Sequence, residues 1–435
     1  MKTLLLLPNQ LFSNKYISKL DITHIILWEH PDYFTKYNFN KKKLILHRSS
    51  MKYYQQYLTN KKYKVQYINF NQQFTFKTNM CMFDPINKMK LPKHIDILES
   101  PNFLLTSNDY KLYRNKTKSF KFNNFYLWSK QQLDIYPQLK SLDKYNRETF
   151  KNKQQIPQLK KIHSANDKKL IAEATTYVNK HFSKNLGNTN NFIYPITHKS
   201  TLVWFNNFLT KKLNNFGPYQ DFVKQDENFM FHSVLSASIN IGLLNPREII
   251  EKLHKVYKKV RENSFEGYLR QLFWREYQRY TYTYIDFSKH NYFNLNKKLT
   301  KQWYNGTLGI KPIDDLIVSG IDTGYIHHIG RLMYIGNYMV LSGISPKQGF
   351  KWFMEFSCDS YEWVMYQNVL DMVFFVTGGM TTRKPYISSS NYLVKNSDYS
   401  CDNWCSVWDQ KYKMFLKNNK QKLWKFRYHF PTLNK

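Results

Sequence analysis

The chain has 435 residues, 42% hydrophobic and 17% aromatic, with 65 Lys and Arg against 31 Asp and Glu for a formal charge of +34. That length suits two or three domains, and the basic excess points to a polyanionic partner, nucleic acid before membrane, because no basic amphipathic helix stands out. No apolar run approaches the ~18 residues that a membrane-crossing helix needs. Four cysteines make no disulfide framework, so an intracellular protein is expected; a monomer without a membrane partner is expected as well.

Residues 1–115 read as α/β. The opening Leu4–Leu7 is apolar, but Pro8, Asn9 and Gln10 end it too soon for a leader, and it reads as a first strand. Residues 3–7, 24–28 and 64–68 are short apolar or β-branched runs, with helical spacing through Met51, Tyr54, Tyr57 and Leu58 between the last two. This alternation predicts a doubly wound, Rossmann-like parallel sheet. No Gly-x-Gly-x-x-Gly follows the first strand, so the usual dinucleotide fingerprint is missing. Residues 116–196 are a linker in composition, rich in Lys, Asn and Gln. Phe125, Tyr126, Trp128, Leu133 and Ile135 are too apolar to hang free and predict helices packed across both neighbours.

Residues 197–435 turn helical. Asn245-Pro246-Arg247-Glu248 predicts an N-cap, a Pro at the first position and a capping box; Ser345-Pro346 repeats the device ahead of Trp352, Phe353 and Phe356. Residues 322–333 predict a buried helix with Tyr325, His328 and Arg331 on one face. Gly324, Gly330 and Gly336 thin its wall as if something flat approaches the backbone; a core helix with a satisfied His and an ion-paired Arg is the alternative. Cys401 and Cys405 could begin a metal site, but no second pair completes it, and no bound metal is expected. After Asp409 there are eight Lys or Arg and no acid, either a solvated basic helix or a surface for phosphates.

Four blocks of this half, in order, resemble the cryptochrome/photolyase family: 231–248, with Phe-His-Ser-Val-Leu-Ser and Gly-Leu-Leu-Asn-Pro-Arg-Glu; 265–277, with Tyr-Leu-Arg-Gln-Leu-Phe-Trp-Arg-Glu-Tyr; Gly324-Tyr-Ile-His-His328; and 359–386, ending Gly-Gly-Met-Thr-Thr-Arg-Lys-Pro-Tyr. The likeness reaches back to Glu99-Ser-Pro-Asn-Phe-Leu104, Phe125-Tyr-Leu-Trp128 and Leu142-Asp-Lys-Tyr-Asn-Arg147. It is similar to the bacterial photolyase-related branch that includes (6-4) photolyases. The resemblance implies an all-α FAD-binding domain and light-driven repair of UV-damaged DNA, most of all (6-4) photoproducts, by electron transfer from reduced FAD. Repair of cyclobutane dimers and blue-light signalling without repair are the alternatives. By the same resemblance Ser233, Val234, Leu235, Ser236 and Tyr219 contact the FAD phosphates, Tyr268, Gln271, Arg275 and Asn368 add contacts, and Arg331 and Asp359 form an ion pair beside the flavin ring. His328, which titrates near neutrality when unperturbed, would protonate the lesion, with Gln271 and Tyr386 beside it. Trp352 and Tyr304 would relay electrons.

The chain also departs from the family. Leu332 stands where animal (6-4) enzymes place a second His, the Gln271-to-Trp274 spacing is one residue short, and Met365 replaces the Asn or Glu that faces flavin N5. Pro312 and the Cys401/Cys405 pair replace the cysteines of an iron–sulfur cluster, so no cluster is expected. A lumazine-like or deazaflavin antenna would sit near Asn9, Gln10 and Glu29 at the strand ends.

Overall fold

The computed structural model describes residues 2–150 and 154–434; residues 151–153 of the expected linker lie outside it. Five parallel strands form one sheet: β1 (Lys2–Leu6), β2 (Ile22–Trp28), β3 (Lys64–Ile68), β4 (Met80–Phe83) and β5 (Asp96–Leu98), in the spatial order β3-β2-β1-β4-β5. Leu5 sits between Ile26 and Met82 in register. Central strand β1 keeps Leu4, Leu5 and Leu6 at 0% exposure, as a strand covered on both faces must. The sequence predicted the first three strands but missed β4 and β5, which are four and three residues long and too short for a period-2 pattern to register.

The order of the strands reverses between β1 and β4, the position where doubly wound sheets bind ligands. Here the chain fills its own crevice. Gln10 Nε2 donates to the Phe83 carbonyl at 2.8 Å, its Oε1 accepts from Leu7 N, and Asn9 Nδ2 donates to the Pro85 carbonyl. Glu29, at the end of β2, accepts from Arg48, Tyr67, Tyr177 and the Phe70 backbone. Of the three side chains expected to face an antenna, only Asn9 keeps a free buried atom, Oδ1.

The helix Lys41–Asn60 ties the sheet to the helical half. Asn40 caps it by accepting from Lys42 N at 2.9 Å, while its Nδ2 donates to the Ile321 carbonyl and its backbone N to that of Glu355. Lys43, one turn in, donates to the Ser360 carbonyl. Helix Ala165–His181 lies along it, held by Arg48 and Glu173.

Helix Ser107–Lys116, at the end of the expected α/β region, and the linker helix Phe122–Leu133 pack on the long helix Glu262–Tyr284. Phe122 stacks on Trp274 with ring centroids 3.6 Å apart, and Tyr126 OH donates to Glu266. Buried Glu276 accepts from the backbone of Leu104 and Leu105 and from Tyr110 OH. The rest is helical to the C-terminal helices Asn403–Asn418 and Lys420–Leu423, and apolar side chains of the sheet and the helices form one continuous core.

Two predicted caps differ in detail. Asn245 does accept from Arg247 N, but Glu248 turns away to pair with Lys15 at 3.2 Å instead of closing a capping box. Ser345 starts helix Pro346–Phe356 without a side-chain cap bond. Cys401 and Cys405 form a disulfide, a pairing the sequence reading did not make.

Buried His47 hydrogen-bonds Tyr361 OH at 2.8 Å, and burial, aided by the nearby Lys43 charge, lowers its pKa well below the ordinary value. Unfolding returns it to about 6.5, so the stability held by the neutral ring is present above that pH and is lost as pH falls below it. Between pH 7 and pH 5 the wild type should lose more melting temperature than His47→Gln; equal losses in paired thermal melts would show that the buried ring is not the sensitive group.

Candidate flavin and lesion site

Helix Lys311–Thr323 does not run on through His328 as the sequence predicted. It stops at Gly324, whose φ of +70° ends the helix and whose N–H returns to the Gly320 carbonyl at 2.8 Å. A Cβ at Gly324 would lie 2.5 Å from Cys358 Sγ, so the glycine lets the 357–359 segment close in, and Cys358 N bonds to the Gly324 carbonyl. Residues 325–327 are irregular and helix resumes at His328. Tyr325 therefore does not share a helical face with His328 and Arg331; its ring sits near Phe229, 5.6 Å away. The resumed helix is a π-helix over Gly330–Gly336, and a second π-helix, Tyr366–Val373, packs on it. A Cβ at Gly336 would strike Val373 at 2.7 Å. Such wide turns are rare and gather at functional sites.

Arg331 and Asp359 form the predicted ion pair. Nη1 and Nη2 donate to Oδ1 and Oδ2 at 2.9 and 3.1 Å, and Nε donates to the Ile326 carbonyl. Asp359 also accepts from Ser236 Oγ at 2.7 Å and from Ser357 Oγ. Burial pushes its carboxyl up, but the Arg331 charge and the hydrogen bonds from Arg331, Ser357 and Ser236 outweigh burial and hold it below its ordinary value. The Asp359 carbonyl accepts from Asn240, whose Oδ1 accepts from Arg275 Nε at 3.2 Å.

Arg275 is buried, with Nη1 on the Asn102 carbonyl at 2.6 Å and its guanidinium near the Phe103 and Trp363 rings, 4.3 and 5.0 Å away. Burial lowers its pKa to about 10, and Nη2 has no partner. Ser233 joins the same region: its carbonyl accepts from Trp204 Nε1 at 2.7 Å, and its side chain meets the Tyr268 hydroxyl. Val234, next in the chain, has φ +54°, a strained conformation for a β-branched residue. With Leu235 it leads into the short helix Ser236–Asn240.

The two histidines diverge. His327 is buried and stacks on His232, centroids 4.6 Å apart, leaving His327 Nδ1 and His232 Nε2 without partners. His328 is exposed to solvent, yet surrounding protein pushes its pKa down to about 4, with the Arg331 charge adding to the effect. The imidazole is therefore neutral at pH 7, not poised near neutrality, because desolvation and a cation disfavour the imidazolium.

Gln271 is exposed and 3.5 Å from Gln220, between Tyr219 and Asp221. Asp221 pairs with Arg147 at 3.1 Å, and both lie within electrostatic reach of half-buried Tyr386. These groups border one patch. Tyr219 packs apart from the ion pair, in a small aromatic cluster with Phe150, Phe222 and Phe231. Met365 is buried at the start of the second π-helix, and Asn368 Nδ2 donates to the Val364 carbonyl at 3.1 Å. Trp352 is fully buried 4.7 Å from Phe356, whose ring lies 5.2 Å from the Arg331 guanidinium. Its Nε1 bonds to the Trp303 carbonyl, while Tyr304 turns to Glu355 at 3.1 Å. Sequence reasoning missed Ser357, Asn240, Asn102 and His232. A Ser two residues before an Asp is a readable signal for the first; the others carry none without the fold.

Three buried polar atoms without protein partners, Arg275 Nη2, His232 Nε2 and His327 Nδ1, are what a large polar ligand would satisfy. The residues present thus fit a flavin dinucleotide.

The sequence model of the deoxyribodipyrimidine photo-lyase-related protein family matches residues 4–89 and 84–194. A (6-4) photolyase of Agrobacterium fabrum is 34% identical over 271 residues, 59% of this chain and 53% of that protein, so the chain spans about half of that relative's length. Uncharacterized protein R855 of Acanthamoeba polyphaga mimivirus is 50% identical over 91 residues, 21% of this chain and 74% of that one. The crystal structure of a bacterial class III photolyase from Agrobacterium tumefaciens shares the fold with a TM-score of 0.59 over 91% of this chain and 86% of that one, at 10% identity. Over residues 4–194 the chain thus matches the deoxyribodipyrimidine photo-lyase-related protein family, and it is similar in sequence to a (6-4) photolyase and in fold to a class III photolyase.

Proposed function

We propose that this protein is a DNA photolyase that repairs UV-induced pyrimidine dimers in blue light, with (6-4) photoproducts as its lesion. The observation that carries the reading is the bidentate Arg331–Asp359 pair three residues from an imidazole, His328, that is open to solvent. The (6-4) assignment is supported by His at 328 and Gln at 271, and by the likeness to a relative named for that lesion.

Ser233, Ser236 and the backbone of Val234 and Leu235 would hold the FAD phosphates, with Tyr219, Tyr268, Arg275 and Asn368 adding contacts and Met365 lying against the ring. When bound and reduced, FAD supplies a light-excited electron. The protein's part is placement and charge. Arg331 would hold a positive charge beside the ring, its guanidinium fixed by Asp359. Gln271, Tyr386 and His328 would receive a base turned out of the duplex, a displacement that costs less for a damaged pair than for an intact one.

Neutral His328 offers one N–H to the lesion. A negative charge arriving on the lesion draws that proton, leaving an imidazolate that the adjacent Arg331 cation would stabilise and that takes the proton back when the electron leaves the lesion, so the ring is neutral before and after each cycle. Trp352, reached through Phe356, would return electrons from the protein interior.

FAD should co-purify without a covalent bond. Arg331→Ala and Asp359→Ala should each lose most of it, because breaking one side of a buried pair costs roughly 3–5 kcal/mol. Full flavin occupancy in both variants, measured by absorbance after denaturation, would defeat the assignment.

His328→Asn should keep FAD and bind damaged duplex, yet lose (6-4) repair by ~10²-fold or more, measured product by product in single light flashes. Unchanged (6-4) repair would remove the proton-donor role; cyclobutane-dimer repair at full rate in its place would shift the substrate.

In the ligand-free wild type, the His328 ring should titrate near the value of about 4 that burial and Arg331 impose. A midpoint close to 6.5 in an NMR titration would mean that the ring is not enclosed as described.

A further inference from the structure

A cleft of about 820 Å³ opens between the C-terminal helices and the segments around Phe293 and Gly343, and five of its lining residues are lysines: Lys297, Lys411, Lys417, Lys420 and Lys422. No lining residue is acidic, and none of these five ammonium groups is in an ion pair among the described residues. None of the lining residues belongs to the flavin or lesion site. Lys411 is half-buried, and burial together with the charge of Lys297 lowers its pKa. Folding therefore holds like charges together with nothing to neutralise them, an arrangement an incoming anion relieves.

A second observation is independent of the first. The segment that leaves the cleft, Trp424–His429, exposes Trp424 at 49% and Tyr428 at 80%. The Arg427 guanidinium lies 5.2 Å from one ring and 4.6 Å from the other, and Arg427 Nη1 donates to the Trp424 carbonyl. Flat aromatic faces flanking a cation, on the same short tail as a lysine-lined groove, are the parts with which proteins hold unpaired nucleic acid: ammonium groups follow the phosphates and bases stack on the rings. A paired duplex offers no free base face to Trp424 or Tyr428.

We propose that this cleft and the Trp424–Tyr428 ladder form a second nucleic-acid site that binds the phosphodiester backbone and bases of a single strand, without regard to damage. The proposal does not rest on the photolyase reading, since it uses none of that site's residues.

The test is fluorescence anisotropy of labelled, undamaged dT16 with the full chain over a salt series. Lys417→Ala/Lys420→Ala/Lys422→Ala should weaken binding by about 10-fold or more and reduce the salt slope by roughly 2, at ~0.7 per phosphate contact on a single strand. Trp424→Ala/Tyr428→Ala should weaken binding by about 10-fold at an unchanged slope, because it removes stacking and no charge. Equal affinity for wild type and both variants overturns the proposal, and so does tripolyphosphate binding in the absence of any dT16 binding.

If a variant fails to fold, the wild type decides through lysine acetylation read by mass spectrometry. Bound dT16 should protect Lys411, Lys417, Lys420 and Lys422 several-fold and leave the exposed Lys19 and Lys61 unchanged. Protection confined to Lys384, beside Tyr386, would place the strand at the lesion site and overturn the proposal.

Discussion

The buried contact between Arg331 and Asp359 is the constraint around which the helical half is arranged. Two opposite charges taken out of water pay a desolvation cost that their attraction offsets only with good geometry and further hydrogen bonds. The bidentate pairing supplies the geometry, and Ser236, Ser357 and the Ile326 carbonyl supply the bonds. Each comes from a different stretch of chain. Satisfying one ion pair therefore fixes the loop after Ser233, the break at Gly324 and the turn at 357–359 relative to each other, and Asn240 extends the connection to Arg275 and, through Asn102, to the edge of the sheet domain.

Much of this could be read in the sequence, and what could not has physical causes. Strands β1 to β3 showed because each is at least five residues long, enough for an apolar or alternating pattern to register, whereas β4 and β5 are only four and three residues long. The Arg331–Asp359 pair showed through family motifs, since 28 residues separate its members and no local pattern joins them. Residues 322–333 misled because helical spacing was counted straight through Gly324. A glycine there permits continuation and termination alike, and only the approach of Cys358 decides between them. The protonation of His328 was also beyond the sequence, because an unperturbed value says nothing of enclosure or of a guanidinium one turn away. Ser345 and Glu248 illustrate a milder limit: the helix starts were readable, the atoms that satisfy them were not.

Charge is distributed in a way composition cannot reveal. Among the described residues, buried Lys and Arg are matched in number by buried Asp and Glu, as in the networks around Glu29 and Arg48 or Glu276 and Arg275. The interior is neutral overall, so the formal excess of +34 resides on the surface, where counterions or a polyanion must answer it. An AT-rich coding bias could raise the Lys count, but bias alone would not empty a concave groove of acids while filling it with lysines.

The paired π-helices carry a consequence for how the site tolerates change. A π-turn accommodates one residue more than an α-turn of the same length, so each of the segments Gly330–Gly336 and Tyr366–Val373 amounts to an insertion held in place by packing against the other. Deleting a single residue from one of them would restore α-geometry there and remove the wide turn that meets the other segment, while the helix on either side kept its direction. Arg331 and Asn368 lie inside these wide turns, so both would shift relative to His328 and Met365 although every side chain survived. In these two stretches the spacing of the chain is as much a determinant of the site as the identity of its residues, and the two lengths are bound to drift together or not at all.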